Sequence, residues 1–156
     1  MADILSPSIS SIINEIDGEL SLGELVKKGD LDKAYLDELV DSLKKMRSAS
    51  NDLHSPGGAT KGNLSDLLAH MSSADAAIYM LSNALDNTKN SNAGQSVINT
   101  ASSFVSNILK PWLTSLWKGV WAIFQKMSNV KGWKISGQLG SSMLGFAKSS
   151  IEISFD

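Results

Sequence analysis

The side chains that could do chemistry are few, and their spacing suits no common reaction. The chain has two histidines, His54 and His70, and no cysteine. A metal site needs two or three converging ligands, which on a helix means pairs such as His-x-x-x-His or Glu-x-x-His. Neither pair occurs. The lack of cysteine removes disulfides, thiolate zinc sites, iron–sulfur clusters and a cysteine nucleophile together. Serine is abundant, but there is no Gly-x-Ser-x-Gly elbow to expose a nucleophile, so any Ser/His/Asp trio would be an arbitrary choice. The glycines form neither a Walker loop nor a Gly-x-Gly-x-x-Gly opening a helix. Gly57-Gly58 and Gly137-Gln138-Leu139-Gly140 read instead as turn or strand punctuation. Asp37 and Asp41 could pair on one helix face, yet they sit among other charges and read as a solvated surface. These observations predict a protein that is not an enzyme, with no cofactor and no metal.

The strongest pattern lies elsewhere, from Val97 to Met127. That segment holds Phe104, Trp112, Trp117, Trp121 and Phe124, including three of the chain's four tryptophans. At about 100° per residue, Asn99, Ser102, Ser103, Ser106, Asn107, Lys110 and Thr114 form a polar stripe. Val97, Ile98, Ala101, Phe104, Val105, Ile108, Leu109, Trp112, Leu113 and Leu116 cover the other side. Beyond Leu116 the phase breaks. Trp117, Trp121 and Phe124 project toward the azimuth that was polar before, while Val120, Ile123 and Met127 continue the apolar side. Pro111 lies at the break, where it cannot donate to the carbonyl four residues back and crowds that turn. It can also start a helix. The spacing predicts two helices, Ala93–Leu109 and Pro111–Met127, or one sharply kinked helix. The second half is apolar nearly all round, which implies burial on more than one side or contact with another molecule.

The other elements frame this one. After a lead-in over Met1–Pro7, Ile9, Ile12, Ile13 and Ile16 make an apolar stripe capped at Ser6 or Ser8 and ended by Gly18. Ser21 and Glu24 have capping-box spacing for a short turn up to Gly29. Asp30 opens a helix to Ser48 whose inner side is Leu31, Ala34, Tyr35, Leu36, Leu39, Val40, Leu43 and Met46. Its acids come early and its bases late, as the helix dipole favours. Ser55–Gly62 is the clearest loop. Asn63 or Ser65 then caps a helix to Leu85 or Asn87, with Leu64, Leu67, Leu68, Met71, Ala74, Ala77, Ile78, Leu81 and Leu85 inward. Asp86–Gln95 is a polar loop.

After Met127 the period becomes two. Trp133, Ile135, Gly137 and Leu139 alternate with polar residues, as do Ala147, Ser149, Ile151, Ile153 and Phe155, with turn residues at Gly140–Gly145 between them. A lone hairpin is marginal, so the spare apolar side of Pro111–Met127 is its expected support. The predicted fold is mainly α, an antiparallel bundle of four to five helices with a C-terminal two-stranded antiparallel β-hairpin packed on the last, Trp-rich helix. Residues 1–156 form a single domain: N-terminal helices over 1–90, the amphipathic segment over 91–128 and the hairpin over 132–156.

Length and composition are those of one globular domain able to bury a core. The net charge of -2 argues against nucleic-acid binding, which needs a basic face. The amino terminus lacks the basic and apolar regions of a secretory signal, and no run reaches the roughly 20 apolar residues of a membrane span. The expected location is the cytoplasm, with peripheral membrane attachment as the variant. The expected function is that of a non-enzymatic interaction and assembly module. It would bind an unidentified protein partner or a second copy through Trp117, Lys118, Trp121, Phe124, Trp133, Ile151, Ile153 and Phe155. The alternative is a membrane-active protein that inserts the amphipathic region 97–127, because a Trp-rich helix flanked by Lys110, Lys118, Lys126, Lys131 and Lys134, with no acid between, also suits a membrane surface.

Overall fold

The computed structural model describes residues 5–88, 94–131, 133–138 and 150–155, and from 127 onward the backbone alone. Helix α1 (Leu5–Gly18) carries Leu5, Ile9, Ile12, Ile13 and Ile16 on its buried side. Ser6 does not cap it: the hydroxyl donates to Asn51 Oδ1 of α3 at 2.8 Å. Helix α2 (Leu20–Lys27) starts earlier than Ser21, with Glu19 at its cap. Ser21 therefore lies inside the helix and donates to Glu19 Oε1 at 2.9 Å, so the expected capping box does not form. Leu22 and Leu25 are buried instead.

Helix α3 (Lys33–His54) begins two residues later than expected from Asp30 and runs well beyond Ser48. The cap is Asp32, whose Oδ1 accepts from the Ala34 amide at 3.0 Å; Asp30 and Leu31 turn back with their amides on the Leu25 carbonyl. An Asp cap of this kind contributes about 1 kcal/mol. Helix α4 (Lys61–Asp86) is capped by Thr60, not by Asn63 or Ser65. Thr60 Oγ1 accepts from the Asn63 amide at 3.1 Å, and the Asn63 side chain donates to the Gly58 carbonyl at 2.7 Å. The α3–α4 turn is thus tied on both sides. A Cβ at Gly58 would collide with the Asp52 carbonyl. Gly58→Ala is expected to cost about 1–3 kcal/mol, read as a lower midpoint in urea with unchanged slope.

The aromatic segment forms α5 (Gln95–Phe104), a π-helical turn (Val105–Leu109) and α6 (Lys110–Lys131) without interruption. Of the two outcomes expected at Pro111, two separate helices do not form. The chain does not restart there, and it meets the proline by widening the turn just before it. The Lys110 amide reaches back five residues to the Val105 carbonyl. Widening moves the turn away from the proline ring, which in a regular helix would press on the carbonyl four residues back. Ser106 and Asn107 are exposed, so a carbonyl that Pro111 leaves without a donor meets water.

The widened turn also accounts for the broken phase. It holds one more residue than an α-turn, so every later side chain falls about 100° short of its position on a straight helix. The buried set before the turn is Ile98, Ala101, Phe104 and Val105. After it come Leu109, Leu113, Leu116, Trp117, Val120, Ile123 and Phe124. On a straight wheel these two sets are offset by roughly one residue's rotation, and the π-turn removes that offset. Trp117 and Phe124 were expected to face the earlier polar azimuth; they lie on the same core side.

The rods pack as an up-and-down bundle. Ser6 pairs with Asn51, and Arg47 donates to Ser10 Oγ at 3.0 Å, so α1 and α3 are antiparallel. A six-residue connection over 55–60 folds α4 back on α3, the most extensive pairing in the bundle. Trp112 Nε1 donates to Ser8 Oγ at 2.8 Å and joins α6 to the start of α1. Phe104 and Ile108 lie beside Glu15 and Gly18 at its end. That rod therefore also runs antiparallel to α1. Helix α2 packs against α5. No described helix is long and apolar enough to cross a membrane. The expected turn at Gly140–Gly145, the expected strand positions Leu139, Ala147 and Ser149, and residues 89–93 of the expected polar loop lie outside the described residues.

Candidate interaction surface

The π-turn decides which aromatic side chains can meet a partner. Trp117 is 2% exposed and Phe124 fully buried. Trp121 and Trp112 are half-buried, and Lys118 is exposed. Among the side chains expected to form an interaction surface, only Lys118 and Trp121 therefore reach it from the described part of α6. Those of Trp133, Ile151, Ile153 and Phe155 lie outside the described residues. Trp112 keeps its indole N–H paired through Ser8. The Trp117 N–H is buried and has no hydrogen-bond partner among the described residues, so its ring is held there by apolar contact.

Four large hydrophobic side chains are exposed among the described residues: Tyr79 and Met80 on α4, Leu20, and Ile108, which the periodicity puts on the apolar side. Leu20 is 86% exposed, at the sharp junction between α1 and α2, and Ile108 is 40% exposed. A straight helix would turn Ile108 inward with Phe104 and Val105; the widened turn pushes it out. The result is a cleft of about 330 Å³ lined by Glu15, Gly18, Glu19, Phe104 and Ile108. Across Glu19 lies a second groove of about 420 Å³, where Ile16, Leu22, Val26 and Val40 sit among charges of both signs, Asp17 and Asp37 with Lys33 and Lys44. The acid-edged apolar part of the α1–α2 corner is thus the cleft at Phe104 and Ile108, bordered by Glu15 and Glu19. The sequence signals were modest: a leucine after Gly18-Glu19, and an isoleucine one turn before a proline.

Charge is distributed unevenly along the chain. From Asp86 to Glu152 no acid intervenes, while the same stretch holds seven lysines. On α6 the residues Lys118, Ala122 and Lys126 form one exposed stripe at i, i+4, i+8 spacing. Two ion pairs, Lys45–Asp41 at 3.0 Å and Lys33–Asp37 at 4.0 Å, lie on the exposed face of α3. Each is an i, i+4 surface pair worth a few tenths of a kcal/mol. Asp37 and Asp41 thus sit with lysines on a solvated face.

The histidines and a buried acid lie on α3 and α4. His54 Nδ1 donates to the Ser50 carbonyl at 2.7 Å at the end of α3, and His70 is half-buried on α4. Asp75 is fully buried among the apolar residues of α4. Sequence reading passed over it, although its spacing from Met71 and Ile78 placed a carboxyl on the inward stripe. Among the described residues no three His, Cys, Asp or Glu side chains are grouped as a metal site would need. No protein-family model matches the chain, and no curated protein and no solved structure matches it either.

Proposed function

We propose that this protein is a non-enzymatic interaction and assembly module whose binding end is the carboxy-terminal part of α6 together with a β-hairpin. The hairpin consists of β1 (Trp133–Gln138) and β2 (Ser150–Phe155). What supports this reading is the antiparallel backbone register, which sets Trp133 opposite Phe155, Ile135 opposite Ile153 and Gly137 opposite Ile151. These positions share one face of the ladder, so the apolar residues of both strands fall together. Two strands alone are marginal and leave two edges open to strand addition. A partner strand, or a second copy, would complete the ladder.

Membrane insertion of region 97–127 is the costlier reading. The rod would have to leave the bundle and uncover Leu113, Leu116, Trp117, Val120 and Phe124, each of which is buried. Those side chains would be reburied in lipid, but the isoleucine face of α1 that the rod leaves behind would meet water at about 1.5–3 kcal/mol for each large apolar side chain uncovered.

The test is light scattering across a concentration series, with pull-down of partners, on the full chain and on a variant lacking Gly145–Asp156. Association by the full chain and clearly weaker association by the shortened one is the expected result. A full chain that stays monomeric and retains no partner would sink the proposal, as would a shortened chain that associates equally well.

A further inference from the structure

The acid-edged apolar corner of α1–α2 and the basic stripe of α6 are complementary in kind, and they sit at different heights on the bundle. Ile108 marks the corner and Lys126 lies eighteen residues further along a continuous helix, about 27 Å away at 1.5 Å per residue. A rigid rod cannot bend its own Lys126 back to its own corner. We propose that a second copy supplies the occupant: the exposed α6 stripe of one molecule docks on the corner of the next, giving a head-to-tail assembly. Leu20 and Ile108 offer the apolar contact, and Trp121, half-buried beside the stripe, offers the matching one. Glu15, Asp17 and Glu19 face Lys118 and Lys126 across the contact. Among the described residues no ion pair already engages these acids or these lysines, and both sets lie at the surface, with Glu19 half-buried. Two different patches in contact make a heterologous interface, which propagates as a filament or closes as a ring.

This inference rests on the assembly reading above and adds the partner and the second surface. It predicts a salt-sensitive association, because exposed charge pairs are screened within about 10 Å at 0.1 M salt. The test uses sedimentation velocity on the full chain at low and high salt, with two charge-reversed variants, Glu15→Lys/Asp17→Lys and Lys118→Glu/Lys126→Glu. All four positions are exposed, and lysine near the end of α1 suits the helix dipole, so both variants should keep the helical circular dichroism of the parent. Each alone should associate at least about tenfold more weakly than the parent. Mixed one to one, they should recover head-to-tail assembly with the two variants alternating, because the corner of each is then complementary to the stripe of the other. Ile108→Asp should weaken the parent's assembly without changing its salt dependence in direction.

A parent chain that stays monomeric at low salt would overturn the inference. So would a mixture that remains monomeric, which is the outcome expected if a chain's own tail occupies its corner. Assembly that survives both charge reversals but vanishes without Gly145–Asp156 would overturn the corner–stripe contact while leaving the hairpin reading intact.

Discussion

Deleting Thr114 is expected to unfold the protein, whereas deleting Ile108 in a Pro111→Ala background is expected to leave it folded. Both residues are exposed helical positions, and by exposure alone the two deletions should be alike. They differ in what they do to the azimuth of everything downstream. Removing Thr114 rotates Leu116, Trp117, Val120, Ile123 and Phe124 by about 100° relative to the bundle. Buried side chains then face water and Lys118 turns toward the core, a loss of several kcal/mol against a typical total of 5–15. Removing Ile108 takes out the extra residue of the π-turn. A regular α-helix then carries both buried sets on one side. In that tighter turn the proline ring meets the carbonyl four residues back, a penalty of about 3 kcal/mol, which is why Pro111→Ala must accompany the deletion. Urea unfolding followed by circular dichroism separates the outcomes. If the Ile108 deletion with Pro111→Ala is as damaging as the Thr114 deletion, the phase argument is wrong.

Trp117→Ala should cost about 3–5 kcal/mol, the range for emptying an aromatic site in a packed core. Trp117→Phe should cost far less, because the indole N–H that phenylalanine lacks has no hydrogen-bond partner among the described residues and most of the ring volume is kept. Trp121→Ala, at a half-buried site, should fall below both. The readout is the unfolding midpoint of each variant, with tryptophan emission recorded in the presence and absence of anionic vesicles. The native emission should be shifted to the blue by the buried Trp117 and should not move on adding vesicles. An alanine variant at 117 that is as stable as the parent, with emission that follows the vesicles, would return the helix to the membrane reading.

Much of the bundle was legible because its signal is local. The stripes of α1 and α4 follow from spacing alone, and nearly every residue assigned to the inner face of α4 is buried. Boundaries were less legible, since a cap depends on which polar side chain reaches an amide. Asp30 and Asp32 are equally good cap residues by type, and Thr60 competes with Asn63 and Ser65. Tertiary contact decides among them: Leu31 is buried outside any helix, which moves the start of α3 onward. The widened turn was visible only as a contradiction, an apolar stripe that changes azimuth beside a proline. Read as a break, it put Trp117 and Phe124 on a second apolar side, free for the hairpin or a partner; read as one extra residue, it puts them on the same core side as Phe104 and Val105. The corner carrying Leu20 and Ile108 was not legible at all, because it joins residues nearly ninety positions apart by the fold.

The hydrogen bond from Trp112 to Ser8 spans 104 positions, and that distance bears on how the chain is made. Five apolar side chains of α1 emerge from the ribosome long before α6. Their α3 cover follows soon after, and α3 and α4 can pair while α6 is still being synthesised. The α6 cover cannot arrive until the chain has grown by those 104 positions. At 5–20 residues per second, the isoleucine stripe of α1 waits for several seconds half-covered, the interval in which a chaperone would bind it.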